Sequence, residues 1–227
     1  MGVGIVPGAH GVTTAARHNA NESFVMVEDT GGISPGRPVI FGEVLFDVFP
    51  DSGAVLGGAP FNVAWHLRGF GLQPLFVSRV GTDAHAETIL SRMRAWGMDD
   101  MGMQRDPDHP TGTVRITFND TGHSFEILPA QAYDYIDAEQ ALAALRTQQL
   151  SLLYAGTLAA RTDVSRSALD AVMAGCGVPL FVDINLREPC WDHARVDHTL
   201  ARARWAKLND EELAAVLRRD IAPTDLV

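Results

Sequence analysis

The feature that most constrains the fold is a repeated alternation of short apolar runs with helix-patterned segments, which begins at Arg37. Repeated strand–helix units of this kind imply a mainly parallel sheet covered by helices, so we expect an α/β fold. In such sheets ligands bind outside the carboxyl ends of the strands, which is where candidate site residues are sought. The strand-like runs are 39–49, 75–80, 152–155, 179–184 and 205–208, and the helical segments are 60–68, 84–96, 165–174, 193–202 and 210–218. Asp83 can cap the second of these helices, whose predicted inner face is Ala86, Ile89, Leu90 and Met93.

Residues 1–36 differ from the rest of the chain. They show no sustained hydrophobic period and end in a Gly-Gly-Ile-Ser-Pro-Gly run at 31–36. We therefore predict a flexible extension over 1–36 and one domain over 37–227.

One segment in the middle of the chain breaks the alternation. Val114, Ile116 and Phe118 share one side of a period-two pattern, a turn follows at 119–122, and the alternation continues to Ile127. This predicts a hairpin with one face in water, which covers a site or is only decoration.

The overall charge limits the classes of partner. The chain of 227 residues has a formal net charge of −10, which argues against nucleic acid and anionic membranes and mildly against a highly phosphorylated substrate.

The sequence shows no apolar run long enough to span a bilayer and no secretory signal pattern. Cys176 and Cys190 match no metal or redox spacing, and His193 and His198 are poorly spaced for a metal site. The expected compartment is the cytoplasm.

The segment 57–62, Gly-Gly-Ala-Pro-Phe-Asn, is the first candidate site. Gly57 and Gly58 let backbone N–H groups approach a ligand, and Pro60 suits the first turn of a helix. Asn62 lies in that turn, near the partly positive helix end, and Asp47 ends the preceding apolar run. These groups together suit a neutral polyol. The alternative is an ordinary strand–turn–helix with a tight glycine turn.

A second candidate follows the apolar run 179–184. If the chain stays extended, alternation places Asp183, Asn185 and Arg187 on one side, where they could hold phosphate oxygens, a metal or sugar hydroxyls. The alternative is a polar strand exit that caps the next element.

A third candidate is the segment Lys207-Leu208-Asn209-Asp210-Glu211-Glu212. Asn209 with Glu212 fits a helix capping box, and on these residues alone that interpretation is the stronger one. In the functional alternative, Asn209 lies near nucleotide phosphates and Glu212 orders water around Mg²⁺.

Known phosphate-binding loops are missing from the sequence. It contains no Gly-x-x-x-x-Gly-Lys-Ser/Thr loop and no Gly-x-Gly-x-x-Gly fingerprint. No glycine follows Gly177, so a glycine-rich phosphate cradle is absent from the last part of this sequence.

Taken together, the motifs resemble the ribokinase-like carbohydrate kinases of the PfkB family, and Gly-Gly-Ala-Pro is most similar to the fructokinase branch. The resemblance runs from Val39 to Leu217. It implies a ribokinase-like α/β fold with a small β lid formed by strands near 51–56 and 113–128. It also implies transfer of the γ-phosphate of ATP to a sugar hydroxyl. The matching segments are Gly-Glu-Val-Leu-Phe-Asp at 42–47, Gly-Gly-Ala-Pro-Phe-Asn-Val-Ala at 57–64, Ser-Arg-Val-Gly-Thr-Asp at 78–83, Thr-Gly at 111–112, Asp183-x-Asn185-x-Arg187 and Lys207-x-Asn209-x-x-Glu212.

The resemblance also implies roles for individual residues. Arg187 would lie near the sugar or the transferred phosphate, and Glu212 would act on Mg²⁺ through water. The residues implied to bind the sugar are Asp47, Gly57, Gly58, Asn62 and Arg187. Those implied to bind the nucleotide or its phosphates are Asn185, Lys207, Asn209 and Glu212.

The sequence departs from the family pattern in two places. Arg204 stands where the family usually carries an acidic residue. The family's Gly-Ala-Gly-Asp segment, with its anion hole and catalytic base, does not occur before Val227, and neither does the adenine pocket. We expect the C-terminal part of the fold to be missing, the base to lie beyond Val227, and the sheet to have an exposed apolar edge. This chain alone is then expected to have little or no kinase activity.

Two other interpretations stay open. The chain could be a sugar-binding or regulatory protein without catalysis, or a nonfunctional fragment from a frameshift or early stop. Fructose is the leading sugar, followed by ribose, 2-keto-3-deoxygluconate and nucleosides. A sugar phosphate is disfavoured, since no basic cluster lies near Gly57. Lid strands of this family often pair between subunits, so the resemblance also implies a homodimer.

Overall fold

The structure, a computed structural model, describes residues 12–16, 23–27, 33–50, 53–119 and 122–217. It contains two sheets flanked by helices. The strands are β1 (Val12–Ala16), β2 (Ser23–Val27), β3 (Arg37–Phe41), β4 (Leu45–Phe49), β5 (Gly53–Gly57), β6 (Leu75–Val80), β7 (Met103–Arg105), β8 (Gly112–Asn119), β9 (Gly122–Ile127), β10 (Leu150–Gly156), β11 (Leu180–Asp183) and β12 (Trp205–Leu208). The helices are α1 (Ala59–Gly69), α2 (Ala84–Ala95), α3 (Ala138–Leu145), α4 (Asp163–Cys176), α5 (His193–Leu200) and α6 (Asp210–Leu217), with 3-10 turns at Ala132–Tyr135 and Leu158–Arg161.

The central sheet has the order β1-β2-β12-β11-β10-β3-β6-β7. From β12 to β7 every neighbouring pair is parallel. The predicted α/β fold with a mainly parallel sheet is therefore confirmed. Strands β2 and β1 extend the sheet in antiparallel pairing beyond β12. The sequence predicted an exposed sheet edge, but β12 is paired on both sides, with β11 and with β2. Both added strands fall within residues 1–36, and the division of the chain at residue 36 stays a prediction.

The smaller sheet has the order β5-β4-β8-β9 and forms the lid. Strand β4 pairs antiparallel with β5 and parallel with β8, and β8 pairs antiparallel with β9. The hairpin expected from the alternating pattern is thus β8 and β9. Its turn residues 120–121 and the side chain of Phe118 lie outside the described residues.

The sequence interpretation of 39–49 as one continuous strand is wrong. Strand β3 ends at Phe41 in the central sheet, and β4 begins at Leu45 in the lid. At Gly42, between them, an added Cβ would lie 2.2 Å from Cγ of Pro60. Because glycine has no Cβ, the start of α1 packs directly on the chain where it leaves the central sheet. Asp47 consequently lies in the middle of a lid strand and not at the tip of a central one.

The hydrophobic core occupies both faces of the central sheet. Side chains alternate across β3, so Val39 and Phe41 join one core cluster while Ile40 joins the other. Helix α2 buries Ala86, Ile89, Leu90 and Met93, the inner face predicted for it. Burial on both faces is typical of parallel sheets and explains the continuous apolar runs of these strands.

Helix ends follow local signals where the sequence supplies them. The Asp83 side chain accepts a hydrogen bond from the Ala86 N–H at the start of α2, as predicted. The sequence interpretation missed β7 and α3, which span three and eight residues. A strand of three residues, such as β7, carries too few periodic positions to stand out. In the part of the chain that the structure describes, none of the helices is long and apolar enough to cross a membrane.

Candidate functional site

A cavity of about 330 Å³ lies between the lid and the carboxyl-terminal side of the central sheet. Its volume falls at the small end of the range for ligand pockets. Two larger hollows, of about 420 and 570 Å³, reach the first residues of β11 and β10, where ligands of such sheets are not expected. The residues that line the cavity are Glu43, Leu45, Asp47, Gly58, Ala59, Asn62, Val114, Phe125, Ile127, Asn185 and Arg187.

The cavity has one apolar wall and one polar wall. Leu45 of β4 and Val114 of β8 are buried, and Ile127 of β9 is partly buried. The polar wall comes from the start of α1, the chain after β3 and the loop after β11. Such a lining, apolar with a few convergent polar groups, is typical of a site for a small organic ligand.

Helix α1 begins at the cavity without a side-chain cap. Gly58, before its first residue, has φ 106° and ψ 122°, a conformation that L side chains rarely adopt. An added Cβ there would lie 2.6 Å from the Glu43 carbonyl oxygen. Pro60 occupies the first turn, and Asn62 follows it into the cavity. The partly positive helix end therefore faces the cavity with an amide beside it.

Asp47 projects from β4 into the same cavity and is half-buried. Burial raises the pKa of its carboxyl, and the Arg187 charge opposes that rise. Gly57 does not line the cavity. An added Cβ at Gly57 would lie 3.0 Å from Asp47 Oδ2, so the missing side chain makes room for this carboxyl. Asp47, Gly58 and Asn62 thus converge on one cavity, as the sequence pattern predicted. Gly57 lies outside the cavity lining and leaves space for the Asp47 carboxyl.

Glu43 is the residue of this site that the sequence interpretation missed. Its side chain is almost wholly buried, with 2% of the residue exposed, and it lines the cavity. Burial raises its pKa to about 7, against opposing hydrogen bonds from its own N–H and the Ala59 N–H and against the Arg187 charge. The available signal was a carboxyl at the end of a buried apolar run, where an ionised group is costly.

The loop after β11 contributes Asn185 and Arg187 to the cavity, but not Asp183. Asn185 has φ 41°, so the chain is not extended there, and the predicted alternation of these three side chains is wrong. Asp183 instead accepts hydrogen bonds from the Tyr154 hydroxyl at 2.9 Å and from Lys207 Nζ at 3.3 Å. The left-handed turn at Asn185, which an asparagine tolerates better than most residues, redirects the loop toward the lid.

Asn209 and Glu212 form the expected capping box at the start of α6. The Asn209 N–H donates to Glu212 Oε2 at 2.9 Å, and the Glu212 N–H donates to Asn209 Oδ1 at 2.8 Å. Glu212 Oε1 also accepts a hydrogen bond from the Leu186 N–H at 2.9 Å, which connects the loop after β11 to this helix. Lys207, Asn209 and Glu212 do not line the cavity, and their phosphate-binding roles stay predictions.

These residues offer no direct ligand set for a metal ion. Both carboxylate oxygens of Glu212 already accept backbone N–H groups. Within the described ranges, no group of three or more histidine, cysteine or acidic side chains could hold a metal. The contact of Glu212 with Mg²⁺ through water stays a prediction.

A family model described as pfkB family carbohydrate kinase matches residues 50–227. A probable fructokinase-3 from Arabidopsis thaliana is 28% identical over 197 residues, covering 80% of this chain and 56% of that protein. A fructokinase from Salmonella typhimurium is 28% identical over 190 residues, covering 78% of this chain and 61% of that protein. The chain therefore spans less than two thirds of the length of these relatives.

Solved structures show the same fold. A double mutant of fructokinase from Vibrio cholerae O395, in a form with fructose, ADP and a potassium ion, has a TM-score of 0.69 and 23% identity. The match covers 86% of this chain and 67% of that one. At 23% identity this likeness shows the fold alone.

Proposed function

Because the chain belongs to the pfkB family of carbohydrate kinases, we propose that its cavity binds a small neutral sugar. In the whole protein, the γ-phosphate of ATP is then transferred to a hydroxyl group of that sugar. The observation that carries the proposal is that Asp47, Asn62 and the uncapped start of α1 share one cavity of about 330 Å³. A carboxylate, an amide and backbone N–H groups together supply acceptors and donors for hydroxyl groups.

Fructose is the proposed sugar, because several similar proteins are named fructokinases. Ribose, 2-keto-3-deoxygluconate and nucleosides follow. The cavity is lined by the carboxyls of Glu43 and Asp47 and by one guanidinium, that of Arg187. This balance of charges favours an uncharged ligand over a sugar phosphate.

The phosphate side of the proposed reaction involves Asn185, Arg187 and the segment Lys207–Glu212. Phosphoryl transfer depends on positioning and on stabilising the charge of the transferred group, and Arg187 and Lys207 supply positive charge near the cavity loop. Mg²⁺ would be carried with the ATP phosphates, and Glu212 would reach it through water. Arg187, which lines the cavity, would lie near the sugar or the transferred phosphate.

We propose that these 227 residues alone have little or no kinase activity. The sequence has no Gly-Ala-Gly-Asp segment, and the family resemblance assigns the anion hole and the base to that segment. Purified chain mixed with ATP, Mg²⁺ and fructose should release no more ADP than a mixture without sugar. Sugar-dependent ADP release well above that blank would contradict this part of the proposal.

Calorimetric titration of fructose into the 227-residue chain tests the sugar site itself. We expect saturable binding with a stoichiometry near one. Binding without turnover, in this chain and also in any longer form of the protein, would favour a non-catalytic sugar-binding protein. The absence of binding by fructose and by ribose would contradict the sugar site and favour a nonfunctional fragment.

Two apolar side chains of the lid are exposed and are relevant to the pairing of subunits. Val55 of β5 is 54% exposed and Phe125 of β9 is 58% exposed. We propose that apolar side chains of this kind pair with a second copy, giving a homodimer through the lid. Sedimentation equilibrium should then give twice the mass of 24.5 kDa, and a strictly monomeric chain would contradict the dimer. The cytoplasm remains the expected compartment.

A further inference from the structure

The carboxyl of Glu43 lines the cavity, but none of the roles proposed above uses it. Its Oε2 atom is buried and has no hydrogen-bond partner, while backbone N–H groups hydrogen-bond the carboxyl from the side of Ala59. The residue is 2% exposed and lines the cavity. A buried polar atom without a partner costs free energy, so a site that keeps one commonly has a ligand or ordered water to satisfy it.

Charged and titratable groups approach Glu43 from several elements. Arg187, from the loop after β11, lowers the pKa of Glu43, whereas Asp183 raises it. The hydroxyls of Tyr154 on β10 and Tyr133 on a 3-10 turn also interact electrostatically with this carboxyl. Asp47 lines the same cavity. Gly58 and Ala59, which meet Glu43 at the start of α1, carry no charge.

We propose that Glu43 is a further specificity-determining residue of the proposed sugar site, and that its Oε2 hydrogen-bonds a hydroxyl group of the bound sugar. The proposal rests on the function proposed above. In its neutral form the carboxyl donates a hydrogen bond to the hydroxyl oxygen. In its ionised form it could only accept. The Glu43 Oε2 atom thereby gains the hydrogen-bond partner that no protein group supplies.

The proposal makes sugar binding dependent on pH in a defined direction. With a pKa of about 7, Glu43 is half ionised near neutral pH in the free protein. A bound sugar displaces water from the cavity, and this further loss of solvation favours the protonated carboxyl, which then donates to the sugar hydroxyl. Binding near or above pH 7 must therefore take up a proton, and affinity must fall as pH rises. The pKa of Asp47 is also raised by burial, so a variant is needed to separate the two carboxyls.

Calorimetry of the 227-residue chain tests this inference. Fructose is titrated at pH 6, 7 and 8 in phosphate and in Tris, buffers with different ionisation enthalpies. The difference in apparent binding enthalpy between the two buffers measures how many protons the wild-type chain takes up on binding fructose. We expect uptake to rise toward one proton at pH 8, with the association constant falling by up to about tenfold per pH unit above 7.

Two isosteric variants complete the design. Glu43→Gln keeps the size and a donor but cannot titrate, so its fructose affinity should vary less with pH and its proton uptake should be lost. Glu139→Gln makes the same chemical change on the exposed face of α3 and should behave as wild type. Wild-type binding without proton uptake, or with the same pH dependence as Glu43→Gln, would overturn the role of Glu43. Failure of the wild-type chain to bind fructose or ribose at any pH would instead overturn the proposed function on which it rests.

Discussion

The sugar half and the phosphate half of the proposed site differ in how their polar groups are satisfied. In the sugar half, Glu43 Oε2 has no partner and α1 begins without a side-chain cap. In the phosphate half, Asn209 and Glu212 bond each other's backbone, and Glu212 also holds the Leu186 N–H. The first set faces an open cavity, whereas the second forms a closed local network.

This difference separates ligand recognition from local structure. Groups that face a cavity without partners cost stability, and the cost is recovered when a ligand supplies the missing hydrogen bonds. Groups that already cap a helix stabilise the fold with or without a ligand. Mutations in the sugar half should therefore change sugar affinity or expose a stability cost. Mutations in the phosphate half should first reveal the loss of a helix cap.

The largest expected effect is the pH-dependent cost of burying Glu43. Its pKa is about 7 in the folded chain against 4.5 ordinarily, so the folded state holds its proton more tightly than the unfolded state. The free energy of unfolding should therefore fall as pH rises from 4.5 through 7. The contribution is on the order of 3 kcal/mol. Urea unfolding of wild type and Glu43→Gln across this range should show the variant gaining relative stability with pH. A constant difference would contradict the burial of an ionisable group here.

A second prediction concerns the close approach of α1 to the chain after β3. Gly58→Ala should lower the free energy of unfolding by about 3 kcal/mol, because a Cβ would meet the Glu43 carbonyl at 2.6 Å in a backbone conformation unsuited to alanine. Gly71→Ala is the matched control, since Gly71 also has positive φ, 87°, but has open space around it. That variant should lose only about 1 kcal/mol. Equal losses in denaturant titrations would show that the contact beneath the cavity is unimportant.

The third prediction separates the two halves by ligand. Asp47→Ala should reduce fructose affinity by about 10- to 100-fold, because a hydrogen bond to a charged group contributes roughly 1.5–3 kcal/mol. In a longer form of the protein that includes the adenine pocket, nucleotide affinity should be nearly unchanged. Calorimetry with each ligand measures both values, and Asp108→Ala, on an exposed residue outside the cavity, is the control. Comparable losses for both ligands would contradict the assignment of Asp47 to the sugar half.

The smallest expected effect lies in the phosphate half. Asn209→Ala removes the oxygen that accepts the Glu212 N–H, so the free energy of unfolding should fall by about 1 kcal/mol while fructose affinity stays constant. Asn209→Asp keeps a capping oxygen but adds negative charge. It should therefore retain most of the stability, and in a longer form of the protein that includes the adenine pocket it should weaken ADP binding. If Asn209→Asp binds ADP as wild type does, Asn209 is a cap and no part of a phosphate site.

The sequence predicts much of this architecture because its signals are local. The inner face of α2, its Asp83 cap and the capping box at Asn209 follow from spacing within a few residues. The break between β3 and β4 was not predictable in that way. It depends on the fit of Gly42 against Pro60, which are distant in sequence. Local periodicity continues across residues 39–49 and gives no sign of a change of sheet.

The same limit applies to the candidate site. The sequence predicted that Asp47 and Asn62 face one site, although it placed Asp47 at the end of a central strand and not within β4 of the lid. The left-handed turn at Asn185 removed Asp183 from the cavity, and alternation cannot anticipate such a turn. The burial of Glu43 depends on α1 and on charges from β11 and its loop, which meet only in the folded chain.

A crystal structure of the 227-residue chain grown with saturating fructose tests the central claim most directly. The account predicts one sugar in the cavity beneath the lid, with hydroxyl groups within hydrogen-bond distance of both the Asp47 carboxyl and the Asn62 amide. Fructose bound elsewhere, or a sugar that contacts only one of these two side chains, would contradict it.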